Sequence, residues 1–124
     1  MKKRPSLISV VDDDESIRES LPDLLRVLGF AAHAFSSAEE FLVSSYIEQT
    51  SCLILDIAMP GMSGPELQQE LTIRQRRIPI IFITAQRDET LRPRLLKLGA
   101  IACLLKPFSE AELVQALDAA LRLD

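Results

Sequence analysis

Five short apolar runs punctuate the chain: Leu7–Val11, Phe30–Phe35, Cys52–Asp56, Ile78–Thr84 and Ile101–Leu105. Most are rich in Ile, Leu or Val and too short for a helix, so each predicts a strand. The segments between them carry a helical period. In the first, Ile17, Leu21, Leu24, Leu25 and Leu28 share one face, and Gly29 stands where a C-terminal cap belongs. Ser37 with Glu40 and Ser109 with Glu112 have capping-box spacing for the second and fifth helices. Ser63-Gly64-Pro65-Glu66 puts a proline in the first turn of the third, where its missing N–H costs least.

Strand followed by helix, five times over, predicts an α/β domain with a parallel sheet and helices on both faces. Right-handed crossovers leave few windings, and at 124 residues the flavodoxin-like (βα)5 fold with strand order 2-1-3-4-5 is the expected one. The whole chain, 1–124, reads as one domain, without repeats, low-complexity tracts or linkers.

Composition narrows the function only by exclusion. Apolar residues make up 48% and charged residues 26%, an ordinary globular balance. A net charge of -4 lacks the basic patch that direct nucleic-acid binding needs. No apolar run reaches the roughly 20 residues of a membrane span, and "MKKRP" has no apolar segment of signal-peptide length after it. Cys52 and Cys103 lie in apolar runs and read as small buried hydrophobes in a reducing, cytoplasmic compartment.

In sheets of this kind ligands bind beyond the carboxyl ends of the strands. There the first strand runs into Asp12 and Asp13, the third ends in Asp56, the fourth in Thr84, and the fifth runs into Lys106. The expected order makes the first and third strands neighbours, so three carboxylates converge. Such a cluster needs a cation or raised pKa values. Mg²⁺ suits it, because this hard ion binds through one or two carboxylates and accepts phosphate oxygens. Lys106 offers a point charge and Thr84 a hydroxyl to a phosphoryl oxygen, which together describe phosphoryl transfer with an aspartate as nucleophile.

With "VVDDDES", "LILDIAMPGMSG", "IPIIFITA" and "GAIACLLKPF" in this order and spacing, the chain resembles the receiver domain of bacterial two-component response regulators. It is most similar to the receivers of FixJ/NarL-like regulators, over essentially its whole length. The resemblance implies that Asp56 accepts a phosphoryl group from a phosphohistidine of a sensor histidine kinase. It implies that Asp13, Asp56 and the backbone carbonyl of Ala58 ligate Mg²⁺, that Asp12 acts through water, and that Lys106 and Thr84 bind the phosphoryl group. It also implies a cis Lys106-Pro107 peptide. The chain would be a switch that catalyses only its own phosphorylation and dephosphorylation, with an output domain or downstream protein as partner. A homodimer through the face between the fourth and fifth helices would fit the same picture. No helix-turn-helix follows "ALDAALRLD", so a single-domain regulator or a separated receiver is expected.

Two features depart from the family. The position three residues before the lysine usually carries an aromatic switch residue, and here it is Cys103. Pro93 falls about five residues after the expected cap Asp88, so the fourth helix either starts near Arg92 or is kinked. Pro22 raises the same question in the first helix, where the apolar stripe favours a kink over a break.

Other residues have plainer readings. Asp14 and Glu15 suit the first helical turn. His33 reads as a surface residue on an edge strand, and Arg74, Arg76 and Arg77 as a solvated helix end. "MPGMSGP" lacks the Lys-Ser/Thr ending of a phosphate-binding P-loop and reads as a tight turn. Two alternatives remain for the site. One is a haloacid-dehalogenase-type phosphatase with Asp12 as nucleophile of an Asp-x-Asp motif. The other is a phosphorylation-independent pseudo-receiver that only binds a partner.

Overall fold

The computed structural model describes residues 5–86 and 89–122, so Asp88 and most of "MKKRP" lie outside the described residues. The elements follow in the order β1 (Leu7–Val11), α1 (Glu15–Val27), β2 (Ala31–Phe35), α2 (Ala38–Leu42), a 3₁₀ turn (Ser45–Glu48), β3 (Thr50–Asp56), α3 (Gly64–Ile73), β4 (Ile80–Thr84), α4 (Leu91–Lys97), β5 (Ala102–Leu105) and α5 (Glu110–Leu121). The strands form one parallel sheet, as the pattern predicts, in the expected flavodoxin-like order β2-β1-β3-β4-β5.

Alternation along the strands divides the core between the two faces of the sheet. Leu53 and Leu55, Ile80 and Phe82, and Cys103 pack with Phe41 of α2, Leu67 and Leu71 of α3, and Leu95 of α4. Cys52 and Ile54, Ile81 and Ile83, and Leu104 pack with Leu21 and Leu25 of α1 and Leu113, Ala116 and Leu117 of α5. The central strands β3 and β4 are buried on both faces, which is why they read as continuous apolar runs. Both cysteines are buried, and burial pushes the Cys52 thiol up to about 12.

Helix termini follow the side-chain signals with one correction. Ser63 with Glu66 and Ser109 with Glu112 form complete capping boxes, with Pro65 in the first turn of α3. The Ser37 cap is only half a box: its hydroxyl accepts from Glu40 N, but Glu40 turns back to Ser36 instead. His33, read as a surface residue of the edge strand, is only partly exposed. It is half-buried and stacks on Tyr46 with ring centroids 4.2 Å apart, because the 3₁₀ turn folds back over the edge strand. The edge is further covered by Arg26, which donates to the Ala32 carbonyl at 3.0 Å.

Three strands begin one or two residues later than their apolar runs. Phe30, Ile78 and Ile101 belong to the approach rather than the ladder, whereas β3 extends back to Thr50. α1 runs through Pro22 without a break, and α4 takes the late start, with Pro93 its third residue. A proline there leaves no intrahelical donor wasted. Gly29 sits just past α1 at φ 99° and donates to the Arg26 carbonyl.

Candidate functional site

The register of the sheet builds the site. Val11 pairs with Leu55, so the next residues, Asp12 and Asp56, stand side by side at the carboxyl ends of β1 and β3. Asp56 pairs with Ile83 and Thr84 with Leu105, which brings Thr84 and Lys106 to the same rim. Lys106 N donates to the Thr84 carbonyl at 2.7 Å and ties the ends of β4 and β5 together. The Lys106-Pro107 peptide is cis.

Asp12 is fully buried. Its N–H donates to the Phe35 carbonyl, its Oδ1 accepts from Asp14 N at 2.9 Å, and its carbonyl accepts from Arg18 at 3.1 Å. Its Oδ2 takes no well-aligned hydrogen bond, and Lys106 Nζ faces it at 2.8 Å as an ion pair. The same ammonium lies 3.5 Å from Asp56 Oδ1. Asp13 is exposed, and one carboxylate oxygen from each of Asp12, Asp13 and Asp56 falls within 4.8 Å of the others.

Electrostatics follow from this crowding. Burial and the neighbouring Asp12 carboxylate push the Asp56 carboxyl from its ordinary 3.8 up to about 7, against the lowering pull of Lys106. For Lys106, burial works against the charge, but the Asp12 and Asp56 carboxylates outweigh it and raise its pKa. One ammonium therefore serves two buried acids, and a third acid stands at the solvent side. A donor set of hard oxygens, three carboxylates within 4.8 Å of one another sharing one ammonium and open to solvent at Asp13, fits a divalent cation that retains water. The third residue of the acidic run serves elsewhere. Asp14 is the N-cap of α1, accepting from Ser16 N and Oγ, and those bonds lower its pKa. An Asp-x-Asp phosphatase pair would need Asp14 to face the site with Asp12.

Thr84 is buried, and its Oγ1 accepts from Gln86 N at 3.0 Å. Cys103 is buried under α4 and lines an open cavity of about 240 Å³ together with Thr84, Gln86, Glu89, Arg92 and Glu112. Thr84 and the departed aromatic position thus share one cavity wall. Ala58 is exposed in the loop from β3 to α3.

Three neighbours of the site escaped the sequence reading. Arg18, the fourth residue of α1, holds the Asp12 carbonyl, and nothing but its charge signals that. Glu39 reaches the loop after β3 from 23 residues away. Gly64 begins α3 so close to β3 that a Cβ would run into the Asp56 carbonyl, a contact only the fold reveals.

Fold and site together define a flavodoxin-like domain with an acidic pocket at the switch point of its sheet. The model of the response regulator receiver domain family matches residues 8–118. The chain is 44% identical over 119 residues to Nodulation protein W of Bradyrhizobium diazoefficiens, covering 96% of this chain and 52% of that protein. It is 42% identical over 123 residues to the response regulator protein TodT of Pseudomonas putida, covering 99% and 54%. The solved structure of the response regulator StyR superposes with a TM-score of 0.88 at 48% identity, over 96% of this chain and 60% of that one. The chain spans about half the length of the curated relatives it matches. It belongs to the response regulator receiver domain family, and phosphorelay signalling is the function of such a domain.

Proposed function

We propose that Asp56 is the phosphoacceptor. An Asp56 carboxylate oxygen attacks the phosphorus of a sensor histidine kinase's phosphohistidine, the P–N bond breaks, and its electron pair leaves on the imidazole nitrogen. The product is an acyl phosphate on Asp56. The observation that carries this reading is the placement of Lys106, 2.8 Å from Asp12 and 3.5 Å from Asp56. A fixed cation there neutralises charge that builds on a phosphoryl oxygen, and costs no reorganisation during transfer.

Asp13, Asp56 and the Ala58 carbonyl would hold Mg²⁺, with Asp12 acting through water. When bound, the ion would neutralise the acids and orient the phosphoryl oxygens. Thr84 would exchange its bond to Gln86 N for one to the phosphoryl group. Dephosphorylation would use the same residues in the domain itself. The domain would work in the cytoplasm, and its output partner would be a further domain or a downstream protein. The shared wall of Thr84 and Cys103 supports a readout through the β4-to-α4 backbone in place of an aromatic side chain.

Incubation with Mg²⁺ and acetyl phosphate tests the assignment. Phosphate should appear on the wild type and not on Asp56→Asn. Labelling of Asp56→Asn together with loss in Asp12→Asn would overturn it in favour of the phosphatase. Beryllofluoride with Mg²⁺ should raise the melting temperature, and no response to either would favour the pseudo-receiver.

A further inference from the structure

Residues 57–63 carry the chain from the phosphoacceptor strand to α3, and Ala58 within them is exposed. Gly64 N donates to the Ile57 carbonyl at 2.9 Å and closes the base of this loop. Met59 is buried and Met62 packs against the core, but the backbone between them is a turn at Pro60-Gly61, with Gly61 at φ 75°. Among the described residues, one hydrogen bond reaches the turn from another element. The Glu39 carboxylate, from the first turn of α2, accepts from Met62 N at 3.0 Å. That carboxylate also lies over Gly61, where a Cβ would come within 2.7 Å of Oε2. The contact thus uses both the missing side chain of Gly61 and the free N–H beside it.

We infer that Glu39 is a positioning residue for the metal site, acting through the backbone of this loop. The inference rests on the proposed reading that the Ala58 carbonyl serves as a metal ligand. A carbonyl ligand has no side-chain rotamer to adjust, so its aim is set by the φ/ψ of its own loop. An ionised acceptor makes a stronger bond to a backbone N–H than a neutral one, and it restrains the turn without touching the ion. The same bond couples α2 to the site, although α2 supplies no ligand.

The test uses the full chain as wild type, Glu39→Ala and Glu39→Gln, with the Mg²⁺ Kd read by titration calorimetry. Glu39→Ala should weaken Mg²⁺ binding about tenfold, in the range of lost outer contacts to metal ligands. Glu39→Gln should recover most of the affinity, because its amide oxygen accepts the same N–H without the charge. In the metal-free protein, the Met62 amide should exchange faster in Glu39→Ala than in wild type, read by NMR. Phosphorylation by acetyl phosphate should recover in Glu39→Ala at saturating Mg²⁺. An unchanged Kd in Glu39→Ala, or a Glu39→Gln variant as weak as Glu39→Ala, would overturn the inference. A wild type that binds no Mg²⁺ would instead overturn the proposed metal site itself.

Discussion

Asp56 illustrates how one residue carries opposing demands. Burial and the Asp12 carboxylate raise its pKa to about 7, so the folded protein holds a proton there that the unfolded chain would release near 3.8. A raised carboxyl pKa adds stability fully present below the unfolded value and lost as pH rises through the folded one. Without divalent cations, stability should therefore fall between about pH 4 and pH 7 by this contribution. Asp56→Asn should flatten that slope, and Mg²⁺ should do so in the wild type; melting temperatures across this pH range in EDTA and in Mg²⁺ check both. Lys106→Met removes the one cation between two buried acids. It should cost up to about 3 kcal/mol in urea unfolding at pH 8 without Mg²⁺. It should also slow phosphorylation by acetyl phosphate. Asp12, Asp13, Asp56, Thr84 and Lys106 were legible in the sequence because each ends or follows a strand. Arg18 and Glu39 were not, because their bonds join residues whose proximity no local pattern encodes.

At the scale of elements, the junction between β3 and α3 is the most constrained. Gly64 starts the helix against the Asp56 carbonyl, the Ile57 backbone and the Phe82 ring. Gly64→Ala should cost about 2 kcal/mol or more, because backbone must move to admit the methyl group. Ser63→Ala, one residue earlier, should cost about 1 kcal/mol through the lost cap. Urea titrations of the two variants distinguish a steric effect from a capping one by size. Capping boxes at Ser63 and Ser109 were readable because both partners lie three residues apart. Glu40 turned to Ser36 instead, a choice between two nearby donors that spacing alone leaves open. α4 starts at Leu91, which leaves Pro93 in the first turn, where its missing N–H costs least, whereas Pro22 stands inside α1.

Over the whole molecule, the sheet stands between the two halves of the core, and the site sits where β1 and β3 diverge to opposite neighbours. A ligand bound only by the folded state stabilises it by mass action. Mg²⁺ with beryllofluoride at about 100 times Kd should add about 2.7 kcal/mol to the wild type, as measured by thermal or urea unfolding. Asp56→Asn should show little of it.

The element types, their order and the chemistry at the strand ends were determined by the sequence alone. They depend on periodicity and on residues a few positions apart. Handedness and chain length only narrow the strand order; the expectation of 2-1-3-4-5 leans on the known flavodoxin-like winding, and the structure has that order. The tertiary structure alone decided which acid shares Lys106, that Asp14 turns away to cap α1, and that His33 lies under Tyr46. It also decided that Glu39 holds the loop beside the acids. These are contacts between distant segments, and their distances exist only after the sheet has set its register. The opening acidic run thus divides by packing: Asp12 is buried at the site, Asp13 faces solvent beside it, and Asp14 belongs to a helix end.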